Sequence, residues 1–199
     1  MGSEILIASP RVARRELILG GQKSGKSARA EQLAAAWLAR DADHHAVLVA
    51  TATAHDAEMR ERIARHRADR ALRVPALRTV EEPSALALAI ARHSSPDTLV
   101  IVDCLTLWLT HRLMPADAAA APPAEPPEGI GRALLAALAD APGPLVLVSN
   151  EIGLGVIPMG REVRAFVDAL GTLNRRVAQA CERVTLMAAG LPLTLKDAA

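Results

Sequence analysis

An α/β fold, with a mostly parallel central sheet between two layers of helices, is predicted by three observations. Short apolar runs of about five residues, rich in Val, Leu and Ile, recur along the chain without polar alternation. Strands covered on both faces have that pattern. Helical stretches separate the runs, and this alternation builds parallel sheets through right-handed crossovers. A glycine-rich turn joins the first run to the first helix, as phosphate-binding α/β folds require.

The elements follow in order. Glu16–Leu19 is the first predicted strand, and Lys26–Arg40 the helix after the glycine turn. Ala46–Ala50 is the second strand, followed by helices over Asp56–Arg70 and Pro83–Arg92. Thr98–Val102 is the third, then a helix over Gly129–Asp140. Leu145–Ser149 is the fourth, a helix covers Arg161–Cys181, and Arg183–Met187 is the last strand. Pro115–Glu128 reads PADAAAAPPAEPPE, a composition that cannot build a packed core and predicts a mobile surface loop.

Composition bounds the function. The chain has 199 residues, enough for one domain that buries roughly 70% of its unfolded surface. Aromatic residues are 2% of the sequence and Tyr is absent, so base stacking on an aromatic platform is a poor reading. The net charge is +1 with both signs interspersed, so no nucleic-acid partner is expected. Cys104 and Cys181 stand far apart in no metal-ligand spacing and are expected to be reduced packing residues. No apolar run approaches the roughly 18 residues of a membrane span. Met1–Arg15 lacks the order of a secretory signal and is read as an N-terminal extension, so the expected location is cytoplasmic.

Gly20-Gly21-Gln22-Lys23-Ser24-Gly25-Lys26-Ser27 matches G-x-x-x-x-G-K-[ST], between a predicted strand and a predicted helix. The glycines let backbone N–H groups converge on one point, and the helix N-terminus adds its positive dipole end there. Lys26 is expected on the β- and γ-phosphates, and Ser27 on Mg²⁺. Residues 16–199 therefore read as one P-loop, RecA-like nucleotide-binding catalytic domain. Leu99–Asp103 is an apolar strand ending in a carboxylate. Asp103 is read as a second Mg²⁺ ligand; an N-cap for a helix starting near Cys104 is the alternative.

A P-loop does not name the acceptor. Thr51 and Thr53 follow the second strand, where ligands bind in open α/β sheets. Downstream, Arg62, Arg65, Arg67 and Arg70 surround His66 on one predicted helix. Free imidazole is mostly neutral at pH 7 and can attack phosphorus. Residue types alone also allow a plain histidine on a solvated, charged helix face.

GGQKSGKS, EMRERIARHRADR, TVEEP, VDCLTLWLT, SNEIGLGVIPMGR and LNRRVAQACERVTLMAAGLPLTLK occur in that order. Together they resemble the bifunctional adenosylcobinamide kinase/adenosylcobinamide-phosphate guanylyltransferases, from about Glu16 to Lys196. The resemblance implies that ATP or GTP phosphorylates adenosylcobinamide. GTP then transfers GMP to adenosylcobinamide phosphate through a guanylyl-histidine, which releases pyrophosphate and gives adenosyl-GDP-cobinamide. It places that histidine at His66 and the triphosphate loop at Gly20–Ser27. It adds nucleotide contacts at Thr51, Ala52, Thr53, Arg67, Ala68, Asp69 and Arg70, and acidic site positions at Glu81 and Asp103. For Glu81 a charge capping the helix from Pro83 is the competing role. Asn150, at the end of the fourth strand, is read as orienting phosphate or substrate. A homo-oligomer, specifically a trimer, is implied as well. A monofunctional small-molecule kinase and a RecA-like nucleotide-driven switch are the alternatives.

Overall fold

The computed structural model describes residues 10–53, 57–115, 129–156 and 158–198. Seven strands form one sheet in the order β3-β2-β4-β5-β1-β6-β7. They are β1 Arg15–Gly20, β2 His45–Ala50, β3 Leu77–Glu81, β4 Thr98–Asp103, β5 Leu145–Val148, β6 Arg183–Ala188 and β7 Leu191–Asp197. All neighbours are parallel except β6 and β7, which form an antiparallel hairpin. The helices are α1 Lys26–Leu38, α2 Ala57–Arg73, α3 Leu86–His93, α4 Leu105–Leu113, α5 Arg132–Asp140 and α6 Arg161–Ala180.

Two aliphatic cores lie on opposite faces, because successive strand side chains point opposite ways. Leu17, Val100, Val102 and Leu147 face a core shared with Leu86 and Ile90 of α3, Leu109 of α4, Leu134 and Leu138 of α5, and Leu173 and Val177 of α6. Their neighbours Ile18, Ile101, Val146 and Val148 face the other core, with Ala30, Leu33 and Ala34 of α1. The five predicted strands are present, each within a residue or so of its expected ends.

Differences from the sequence expectation have physical causes. β1 begins at Arg15, whose buried guanidinium donates to the carbonyls of Leu138 (2.6 Å) and Gly143 (2.8 Å). That residue therefore belongs to the strand rather than to the extension, most of which lies outside the described residues. β3 and β7 are edge strands, half-exposed or exposed, so they lack the continuous apolar run that marks the central ones. α4 appeared in the sequence reading only as the helix Asp103 would cap. Apart from Pro115, the loop expected at 115–128 lies outside the described residues.

Candidate functional site

Parallel strands align their C-terminal ends on one edge, and pairing register sets which residues stand abreast there. Ala50 pairs with Glu81 on one side and with Asp103 on the other. Asp103 pairs with Val148, and Val148 with Ile18, two residues before Gly20. Glu81, Thr51, Asp103, Asn150 and the glycine loop thus arise along one sheet edge.

The loop is closely packed at Gly20, while Gly21 faces open space. A Cβ on Gly20 would lie 2.5 Å from both the Met187 carbonyl oxygen and Ser24 Oγ. Gly25 is the N-cap of α1 at φ +100°, a left-handed conformation that favours glycine. Glu151 N–H donates to the Gly20 carbonyl at 3.1 Å, and Gly190 N–H donates to the Ser24 carbonyl at 3.1 Å. The loop is therefore braced by the segment after β5 and by the β6–β7 turn. Gln22 and Lys23 are exposed, and Ser27 is half-buried at the start of α1. The buried Ser24 Oγ has no partner among the described residues.

Lys26 is buried, and its Nζ donates to the Gly21 carbonyl at 2.6 Å. Burial lowers its pKa, while the nearby Cys104 and Asp103 act in the opposite direction. The ammonium is thus partly desolvated and held on the loop's own backbone, within electrostatic reach of Asp103. Asp103 is not the cap of α4: the N-cap is Cys104, across a cis peptide bond.

Thr51 is fully buried. Its Oγ1 donates to the Cys104 carbonyl at 2.7 Å and accepts from Cys104 N–H at 2.8 Å. Its own N–H donates to the Asp103 carbonyl at 3.0 Å. The Thr51 hydroxyl thus holds the corner that carries Asp103, at the start of the turn expected to contact nucleotide. Ala52 and Thr53 are half-buried, and Thr53 Oγ1 lies 3.1 Å from His111 Nε2.

α2 carries His66 on an exposed face, with Arg67, Ala68 and Asp69 also exposed. Arg67 forms an ion pair with Glu81, so two expected nucleotide contacts meet each other. In the turn that leads into α3, Glu82 Oε1 accepts from the Ser84 and Ala85 N–H groups at 3.0 and 2.8 Å, while the helix itself has no side-chain cap. Arg70 is buried, donates to Thr79 Oγ1 at 2.9 Å and stands 3.7 Å from Glu31 of α1. Arg73 reaches the same carboxylate at 3.1 Å. Arg70, one of the expected nucleotide contacts, therefore docks α2 on α1 and β3. Of the arginines around His66, the Arg62 side chain lies outside the described residues.

A buried network after β5 was not legible in the sequence. Ser149 Oγ donates to Asn174 Oδ1 at 2.7 Å, and Asn174 Nδ2 donates to the Asn150 carbonyl at 3.0 Å. Asn150 N–H donates to Thr106 Oγ1 at 2.9 Å. The network fixes the backbone of Asn150, next to the residue that braces Gly20. Asn174 is a buried amide 24 residues downstream, and only the packing of α6 brings it there.

A phosphate cradle between β1 and α1, a carboxylate on β4, and β5 inserted between those strands define a RecA-like P-loop nucleotide enzyme. The chain covers 94% of itself against the flagellar accessory protein FlaH from Methanocaldococcus jannaschii, and 79% of that chain, at TM-score 0.50 and 13% identity. That likeness shows the fold alone. The family model for CobU, cobinamide kinase / cobinamide phosphate guanyltransferase, matches residues 16–195. The chain belongs to this family, and is a bifunctional transferase that uses nucleotides. It is 46% identical to the bifunctional adenosylcobalamin biosynthesis protein CobP of Pseudomonas aeruginosa, over 92% of this chain and 97% of the relative. It is 33% identical to the bifunctional adenosylcobalamin biosynthesis protein CobU of Salmonella typhimurium, over 90% and 98%.

Proposed function

We propose that one phosphate cradle, Gly20–Ser27, serves both reactions of adenosylcobalamin biosynthesis assigned to this family, and that His66 carries GMP during the second. In the kinase step the loop N–H groups and the α1 N-terminus hold the triphosphate. Lys26 leaves the Gly21 carbonyl for the β- and γ-phosphates, and the aminopropanol hydroxyl of adenosylcobinamide takes the γ-phosphoryl group of ATP or GTP. In the second step neutral His66 attacks the α-phosphorus of GTP, forming a P–N bond as the bond to pyrophosphate breaks. A phosphate oxygen of adenosylcobinamide phosphate then displaces the imidazole and gives adenosyl-GDP-cobinamide.

The observation that carries this reading is the docking of α2. Arg70 and Arg73 on Glu31 tie the histidine helix to α1, the helix that starts at the cradle, and Arg67 on Glu81 ties it to the end of β3. Ser27 and Asp103 offer a hydroxyl and a carboxylate, hard oxygen donors that suit Mg²⁺ sharing its shell with phosphate oxygens and water. Asp103 acts on the charge of Lys26, which is consistent with both facing one phosphate site. Mg²⁺ bound there would neutralise phosphate charge.

Both cysteines are free and buried, and among the described residues no helix is long and apolar enough to cross a membrane. A reduced, cytoplasmic setting fits, with a trimer as the expected assembly; light scattering on the purified protein tests the latter. The histidine assignment is tested with α-labelled GTP and Mg²⁺, followed by denaturation. Acid-labile, base-stable label is expected on the wild type and absent from His66→Ala. Label retained by His66→Ala would refute the assignment.

A further inference from the structure

A second concave site lies at the opposite edge of the sheet, where β2, β3 and β4 begin. The cavity is about 360 Å³ and is lined by His45, Arg78, Arg92, His93 and Thr98 among others, a size suited to a small molecule. Along β2, five residues at ~3.3 Å each put roughly 16 Å between His45 and the Ala50–Asp103 edge. The cavity is thus separate from the glycine loop.

Its chemistry is one-sided. Arg78 and Arg92 carry only N–H donors and a fixed positive charge. Arg78 Nη2 lies 3.2 Å from His93 Nδ1. A guanidinium only donates, so Nδ1 accepts and His93 carries its proton on Nε2, adding another donor. Burial, then Arg78 and Arg92, hold the His93 ring below its ordinary pKa, and no carboxylate figures among the influences on it. Asp97, the acid whose charge acts with His45, is not among the lining residues, and its Oδ1 accepts from the hydroxyls of Ser95 and Thr98. The helix dipole accounts for part of this: Arg92 and His93 stand in the last turn of α3, where cations are favoured. It does not account for Arg78, which reaches the same point from β3.

We propose that this cavity binds a small phosphate-bearing molecule, with its phosphate held by Arg78, Arg92 and His93. Planar guanidinium groups match phosphate oxygens in pairs, and two of them with the His93 ring line one concave surface. The site stands apart from the nucleotide cradle, so a ligand held here is distinct from the triphosphate held there.

The test follows the ¹³C-labelled imidazole of His93 by NMR, its signal identified by its loss in His93→Gln. Inorganic phosphate is titrated in one arm and pyrophosphate in the other, with ionic strength held constant by chloride. A saturable His93 shift is expected, with apparent affinity about tenfold weaker or worse in Arg78→Gln and in Arg92→Gln. Both arginines are exposed, so these variants are expected to fold. Phosphate taken up at the glycine loop does not produce this signal at His93. The arm that saturates at lower concentration tells whether the ligand carries one phosphate or two. A shift that never saturates, that chloride alone reproduces, or that the arginine variants leave unchanged would overturn the proposal.

Discussion

Replacing Thr51 by Val tests whether this residue holds the Asp103 corner or touches nucleotide. The side chains are nearly isosteric, so the change removes one hydroxyl and little packing. Two buried hydrogen bonds vanish, at 2.7 and 2.8 Å. The Cys104 carbonyl keeps a partner, because Trp108 N–H donates to it at 3.2 Å. The Cys104 N–H is left without the acceptor it has in the wild type. One net hydrogen bond at ~1 kcal/mol and one orphaned buried donor at ~1–3 kcal/mol give a loss of about 3 kcal/mol. For a chain of this length that lowers Tm by about 9 °C. Thr51→Ser keeps both bonds and loses one methyl, a cost of about 1 kcal/mol. Urea unfolding with an unchanged slope gives the stability difference, and initial rates of the kinase reaction give kcat and KM. The expected result is a large loss of stability in Thr51→Val and a fall in kcat as Asp103 shifts, with both mostly retained in Thr51→Ser. Thr51→Val as stable as wild type to within about 0.5 kcal/mol, with KM for nucleotide raised, would refute the corner role and restore a direct contact.

Further predictions address the cradle, the buried network and the titrating groups. Lys26→Ala removes the cation expected at the developing phosphate charge and should lower kcat of phosphoryl transfer roughly 10²–10³-fold with the fold intact; circular dichroism and initial rates check this. Asn174→Ala deletes a buried amide that links Ser149 to Asn150, and should cost about 2 kcal/mol in urea unfolding. Burial raises the Glu16 pKa from 4.5, outweighing its bond from Thr185 Oγ1. The folded state therefore holds the extra proton: Glu16 contributes stability fully below pH ~4.5, and that share is lost as pH rises through the raised folded value. Glu16→Gln should flatten this decline in urea midpoints measured from pH 4.5 upward, and an unchanged slope would count against it. Burial also pushes the Cys181 thiol up to about 12 and raises Cys104. Neither should react with a thiol reagent at pH 8 until the protein unfolds; rapid labelling of the folded protein would contradict that.

The division between sequence and tertiary structure follows from how far each signal reaches along the chain. The glycine loop, its strand and its helix are contiguous, and their chemistry depends on local backbone geometry, so Gly20–Ser27 was legible residue by residue. Central strands bury both faces and therefore announce themselves as unbroken apolar runs. The edge strands β3 and β7 bury less, and their mixed residues did not announce themselves. The roles of Thr51, Arg70, Glu81 and Glu82 were beyond local pattern, since a hydroxyl, a guanidinium or a carboxylate carries the same signature whether it meets a ligand or a neighbour. Only the packed sheet decided that Thr51 turns to Cys104, that Arg70 turns to Glu31, and that Glu81 meets Arg67 while Glu82 holds the turn before α3. The sequence by itself determined what the cradle can hold. The tertiary structure decided which residues hold the cradle and its neighbours in place, because those partners lie tens of residues apart and meet only when the layers close.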